Sequence, residues 1–82
     1  MDNKIRTSIY LMPGMAASPK IFELIEFPTQ FKIIYLKWIK PNVNETIKSY
    51  AKRMSEFIND DIPILIGVSF GGILVQEISK HI

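Results

Sequence analysis

Three short apolar runs are spaced along the chain, and between and after them apolar residues recur at helical spacing. The first run, residues 8–12 (SIYLM), is rich in β-formers and stops at Pro13-Gly14, so it reads as a strand closed by a turn. In "SPKIFELIE", Ser18 suits an N-cap, Pro19 suits the first helical position, and Ile21, Leu24 and Ile25 share a face. That predicts a short helix ending before Pro28. The stretch 31–38 (FKIIYLKW) holds Ile33, Ile34, Tyr35 and Leu36 in succession, as in a strand buried on both faces. Asn42 and Glu45 have the spacing of a capping box. From there "NETIKSYAKRMSEFI" carries the clearest helical period, with Ile47, Tyr50, Ala51, Met54, Phe57 and Ile58 on one side. A turn at "NDDIP" leads to residues 64–68 (ILIGV), a third strand apolar on both faces. "GILVQEISKHI" is a final helix, apolar around most of its first turns and so expected to be deeply buried.

The order β-α-β-α-β-α predicts an α/β fold: a three-layer α/β/α arrangement around a parallel sheet with right-handed crossovers, all in one domain over residues 1–82. Ligands of such sheets sit beyond the carboxyl ends of the strands. The loops at 13–18, 37–42 and 69–72 are therefore the places to look for chemistry.

Composition narrows the options. Hydrophobic residues make up 48% of the 82 residues, enough for a packed core. A net charge of +2 with scattered lysines gives no footprint for nucleic acid. The absence of cysteine rules out disulfides, thiolate metal sites and a cysteine nucleophile, and is compatible with the expected cytoplasmic location. One histidine and no cysteine make a metal site an unpromising reading, and no cofactor is expected. No apolar run approaches the ~20 residues of a membrane span. The N-terminus has a faint signal-peptide look, but Pro13 and Gly14 interrupt its apolar stretch too early.

The densest chemical signal is "GVSFGG" at residues 67–72. Ser69 stands between an apolar strand and an apolar helix with no connecting loop. So sharp a reversal strains its backbone and requires small neighbours, which Gly67 and Gly71 supply, while Gly72 lets the helix approach the sheet. This is the G-x-S-x-G nucleophile elbow in its required strand–turn–helix context. An acyl carbonyl attacked by Ser69 needs backbone donors about 3 Å from its oxygen. The N–H of Phe70 is one, and the first strand–helix loop supplies the other, with Gly14 turning the backbone so that Met15 presents its N–H. The plainer readings are a glycine-rich turn that binds nothing or cradles a phosphate, and a Pro-Gly turn with no further role. The lysine of a phosphate-binding P-loop is missing.

With "IYLMPGM" as oxyanion strand and loop and "ILIGVSFGG" as elbow, the sequence resembles the α/β-hydrolase superfamily over nearly its whole length. It looks most like the small bacterial hydrolases that start directly at this strand. Pro13 stands where many relatives have histidine, which leaves the backbone donor in place. The resemblance implies a partial α/β-hydrolase fold with the first strand flanked by the other two. It places the first helix on one face of the sheet and the other two on the opposite face. It also implies a small-molecule acyl substrate, an ester, thioester or amide.

The family's triad runs Ser, then Asp or Glu, then His. His81 lies twelve residues beyond Ser69, about 18 Å at helical rise, whereas a general base must come within ~3 Å. Glu77 fails in the same way, and Asp60 and Asp61 fall at the wrong end of the third strand. The expectation is thus the N-terminal portion of a hydrolase domain, close to inactive alone, whose later strands bring the acid and the histidine. Its third strand would be an aggregation-prone edge until the next strand covers it. Trp38 reads equally as a pocket wall or a packing anchor. A non-catalytic α/β domain that binds an anion or partner at the Ser69 helix start remains open, as does a fragment without function.

Overall fold

Alternation along the first strand sets the architecture. In the computed structural model, which describes residues 7–15, 19–23 and 25–82, β1 spans Thr7–Met12 and is buried from Ser8 onward. Tyr10 and Met12 point to one face, Ile9 and Leu11 to the other, as the two-residue strand period requires. A strand buried on both sides must be central. β1 pairs in parallel with β2 (Phe31–Tyr35) and with β3 (Ile64–Gly67), giving the order β2-β1-β3 expected of the fold. The described residues therefore form a mixed α/β structure with a three-stranded parallel sheet and two α-helices, α1 (Ile47–Ser55) and α2 (Phe70–Ile78).

Both α-helices pack on the Tyr10/Met12 face. Tyr50, Ala51 and Met54 of α1 and Leu74, Val75 and Ile78 of α2 close the larger core around those two side chains, joined by Leu36. On the opposite face Phe22 covers Ile9 and Leu11, with Phe27, Phe31, Ile33, Ile66 and Val68 packed at its margin. Each of the two clusters takes alternate residues from all three strands, which makes the sheet the spine of the core.

Several sequence expectations need correction. The helix expected after Ser18 is a single 3-10 turn, Pro19–Phe22, with Ser18 and Leu24 outside the described residues. Strands β2 and β3 are only half-buried, with Tyr35 and Ile64 exposed. Among the described residues each is paired on one edge only, and Phe22 is the one fully buried side chain that covers the face opposite the α-helices. β2 also stops at Tyr35 rather than Trp38.

α1 begins at Ile47, not within the Asn42–Glu45 box. That box closes a turn of its own: Asn42 N–H donates to Glu45 Oε1 at 2.9 Å, and Glu45 N–H to the Asn42 carbonyl at 3.1 Å. Asn44 inside it has φ 59°, a left-handed conformation that an α-helix cannot contain. Thr46 is the true N-cap, its Oγ1 accepting the Ser49 N–H at 3.1 Å. Lys52 and Arg53 sit in the last turn of α1, where the helix dipole favours cations. No helix of the described residues is long and apolar enough to cross a membrane.

Candidate active site

All three strands are parallel, so the segments after Met12, Tyr35 and Gly67 emerge at one end of the sheet. Two hydrogen bonds extend the ladder past the strand ends. Val68 N–H donates to the Met12 carbonyl at 3.1 Å, and Leu36 N–H to the Leu11 carbonyl at 2.8 Å. The Pro13 loop, the Trp38 segment and Ser69 are thereby held side by side.

Ser69 has φ 59° and ψ −127°, outside the basins in which L-residues rest. It is one of two non-glycine residues with positive φ among the described residues, and Asn44, the other, is of a type that tolerates this. The strain follows from a strand ending at Gly67 and a helix starting at Phe70 with only Val68 and Ser69 between. Ser69 is the N-cap of α2, yet its hydroxyl makes no capping hydrogen bond. A serine there ordinarily turns its oxygen onto the second or third helical N–H. Here the turn leaves Ser69 exposed with its hydroxyl uncommitted.

The glycines separate into two kinds. A methyl group on Gly67 would sit 2.2 Å from the Gly71 carbonyl oxygen, and one on Gly71 would meet the Met12 and Pro13 carbonyl oxygens at 2.6 Å. These contacts are with backbone and have no means of yielding, so the elbow closes only with glycine at both positions. Gly14 and Gly72 are less constrained. A methyl group on Gly14 would lie 3.5 Å from the Ser69 Cβ, and one on Gly72 would lie 3.4 Å from the Gly67 oxygen. None of the four glycines has positive φ, so the Met15 loop does not depend on glycine's left-handed freedom at Gly14. What Gly14 does provide is direct approach of the first loop to Ser69.

Trp38 links the two halves of this site. Its indole N–H donates to the Pro13 carbonyl at 3.0 Å, which fixes the peptide leading into Gly14 and Met15. Its ring stacks on Phe70, centroids 5.6 Å apart and planes 3° apart. Neither Met15 N–H nor Phe70 N–H donates to a backbone carbonyl among the described residues. The two donors expected from the sequence thus lie on segments gripped by one side chain, and neither N–H has a backbone partner among the described residues.

Beside them lies a cavity of about 370 Å³ lined by Met15, Trp38, Phe70 and, on the far side, Ile39, Ile47 and Tyr50. Sequence reasoning placed Ile47 and Tyr50 in the core alone. The available signal was the Tyr50 hydroxyl, because a buried phenol demands a partner. It donates to the Ile39 carbonyl at 2.6 Å and accepts the Ile39 N–H at 2.8 Å, pinning the segment after Trp38 to α1. Burial raises the Tyr50 pKa, so the phenol stays neutral.

Glu45 borders the cavity as well. Arg53 Nε and Nη2 donate to its two oxygens at 2.8 and 2.7 Å, and Ser49 Oγ and Asn42 N–H supply further hydrogen bonds. The Arg53 hydrogen bond, followed by the Asn42 amide, lowers the Glu45 pKa to about 2.

The other ionisable residues weighed from the sequence lie elsewhere. His81 is exposed in a 3-10 turn, Ser79–His81, at the far end of α2, and Glu77 pairs with Lys80. Asp60 accepts the Tyr10 hydroxyl at 2.5 Å, at the opposite end of β3 from Ser69. Among the described residues, no side chain forms a hydrogen bond with Ser69 as a general base would. Comparison with protein-family models, curated proteins and solved structures gives no match.

Proposed function

We propose that this chain carries the nucleophile and oxyanion hole of a serine hydrolase of the α/β-hydrolase superfamily, acting on an ester, thioester or amide. The Ser69 oxygen attacks the acyl carbonyl carbon, and the displaced electron pair collects on the carbonyl oxygen. The Met15 and Phe70 N–H groups stabilise that oxygen, aided by the α2 N-terminus. Collapse expels the alcohol, thiol or amine and leaves an acyl group on Ser69, which water then removes. The proton from Ser69 reaches the departing alcohol, thiol or amine, as the tetrahedral intermediate collapses, by way of a histidine oriented by an acid. In this reading both are contributed by strands that continue the sheet beyond β3, in a full three-layer fold whose further helices cover the Phe22 face.

The observation that carries the proposal is Ser69 itself: a serine at φ 59° in a glycine-locked turn, its hydroxyl unused by the helix it begins. A turn built only to cradle an anion needs free N–H groups, but has no need of a strained serine. The test is labelling with a fluorophosphonate, using protein expressed in its natural reading frame, followed by peptide mapping. An adduct on Ser69 that disappears in Ser69→Ala is the expected result. A folded protein in which Ser69 stays unmodified overturns the proposal.

A further inference from the structure

The cavity beside Ser69 has a composition that specifies its occupant. Its lining is aromatic and aliphatic, with Trp38, Phe70, Tyr50 and Ile47 around a volume of about 370 Å³. That lies toward the small end of the ~300–1,000 Å³ usual for ligand sites. Among the described residues three polar side chains also border it, and each makes hydrogen bonds within the protein. Glu45 is neutralised by Arg53 and further bonded by Asn42 and Ser49. Thr46 Oγ1 accepts the Ser49 N–H. The Tyr50 hydroxyl both donates to and accepts from Ile39. Among the described side chains that line it, the one charge is already paired, so a charged acyl group would meet no free counter-charge here.

The position is as informative as the lining. Met15 and Phe70 form the wall nearest Ser69, and they are the residues whose N–H groups the proposed oxyanion hole uses. The Trp38 ring, stacked on Phe70, continues that wall. We infer that this cavity binds an uncharged, apolar acyl chain of a small-molecule substrate and discriminates against charged acyl groups. The assignment to an acyl chain rests on the hydrolase reading, whereas the binding itself does not.

Trp38 is the only tryptophan of the chain, so its emission reports occupancy directly. The experiment titrates the protein with a series of neutral methyl ketones, from 2-pentanone to 2-nonanone, and with octanoate and octylammonium. The ketones place a carbonyl where the scissile one would be but cannot be hydrolysed. Each added methylene is expected to tighten binding about fourfold until the cavity is filled. Octanoate and octylammonium are expected to bind at least ~10-fold more weakly than 2-nonanone. Ile47→Asp adds a charge to the wall at a helix start where an acid is well tolerated. It is expected to weaken 2-nonanone binding ~10-fold or more while leaving the circular dichroism spectrum and thermal midpoint in place.

A Trp38 emission that does not respond to 2-nonanone overturns the inference, as does octanoate binding as tightly as the ketone. Ser69→Ala separates the two proposals, because it should bind ketones like the parent and lose the fluorophosphonate adduct. Ketone binding without an adduct on Ser69 in the parent overturns the hydrolase reading, and with it the assignment to an acyl chain. An adduct without ketone binding overturns the pocket alone.

Discussion

The indole of Trp38 lies parallel to the ring of Phe70, with planes 3° apart and centroids 5.6 Å apart, while its N–H reaches the Pro13 carbonyl at 3.0 Å. One side chain on the β2 connection therefore ties the loop after β1 to the first residue of α2. Those are the segments that carry the proposed oxyanion donors. Trp38→Phe keeps a stacking ring but removes the hydrogen bond. It should cost about 1 kcal/mol of stability, the net worth of one such bond. If Trp38 positions the Met15 loop, fluorophosphonate labelling of the folded variant should also slow about tenfold. A packing role alone would leave the labelling rate per folded molecule unchanged.

Strain at Ser69 makes a second prediction. A residue held in so sparsely populated a conformation costs about 1–3 kcal/mol. Glycine would relieve this, at the expense of a more flexible unfolded chain worth about 0.4–1 kcal/mol. Ser69→Gly should therefore stabilise the protein by about 1 kcal/mol in urea denaturation while abolishing labelling. Ser69→Ala should abolish labelling with little gain, because alanine keeps the strain. A Ser69→Gly variant less stable than Ser69→Ala would refute the reading of this turn as strained.

The glycines should divide by what their missing methyl groups would strike. Gly67→Ala and Gly71→Ala drive a methyl into backbone at 2.2 and 2.6 Å and should each cost about 3 kcal/mol or more. Gly14→Ala makes ordinary contacts at 3.5 Å without positive φ, and should stay within about 1 kcal/mol of the parent. Thermal and urea midpoints measured on the three variants give the ranking.

The Glu45–Arg53 pair predicts a pH dependence of definite sign. Glu45 titrates at about 2 in the folded protein, against about 4.3 when unfolded. Its contribution is complete above the unfolded value and is lost as pH falls from ~4.3 toward 2. Glu45→Gln should therefore be less stable than the parent at pH 7, with the gap closing steadily below pH ~4. Asp60 and Glu77 have pKa values lowered by Tyr10 and Lys80 respectively, and they shift both proteins alike. The difference between variant and parent isolates Glu45.

The sequence conveyed the elements whose determinants are local. β1 and β3 announce themselves by apolar runs closed by Pro-Gly and by Gly67, and α2 by the glycine pair that lets it start at once. The start of α1 is obscured in the sequence because the Glu45 side chain does accept the Asn42 N–H, which is half of a capping box, while the Glu45 N–H bonds the Asn42 carbonyl. Only the left-handed backbone of Asn44 reveals that the helix is still to come. The stretch after Pro19 has helical spacing but yields one 3-10 turn, in which Phe22 alone is fully buried of the side chains described. At the site, Ser69 and its glycines were legible because steric need leaves a mark on composition. The cavity was not, because its walls come from the first loop, the β2 connection, the start of α1 and the start of α2, which meet only in the fold.

The strand order carries a consequence for how the molecule is made. β1 precedes β2 and β3 in the chain but lies between them, and Ile9 must wait for Ile64, far along the chain, before its second edge is paired. Closing so long a loop is slow and entropically costly, so β3 should dock after β1 and β2 have paired. The Ser69 turn hangs from that strand. Its strain can be imposed only once β1 and β2 are paired and β3 has docked on them, so the Ser69 turn takes shape later than the β1–β2 pair.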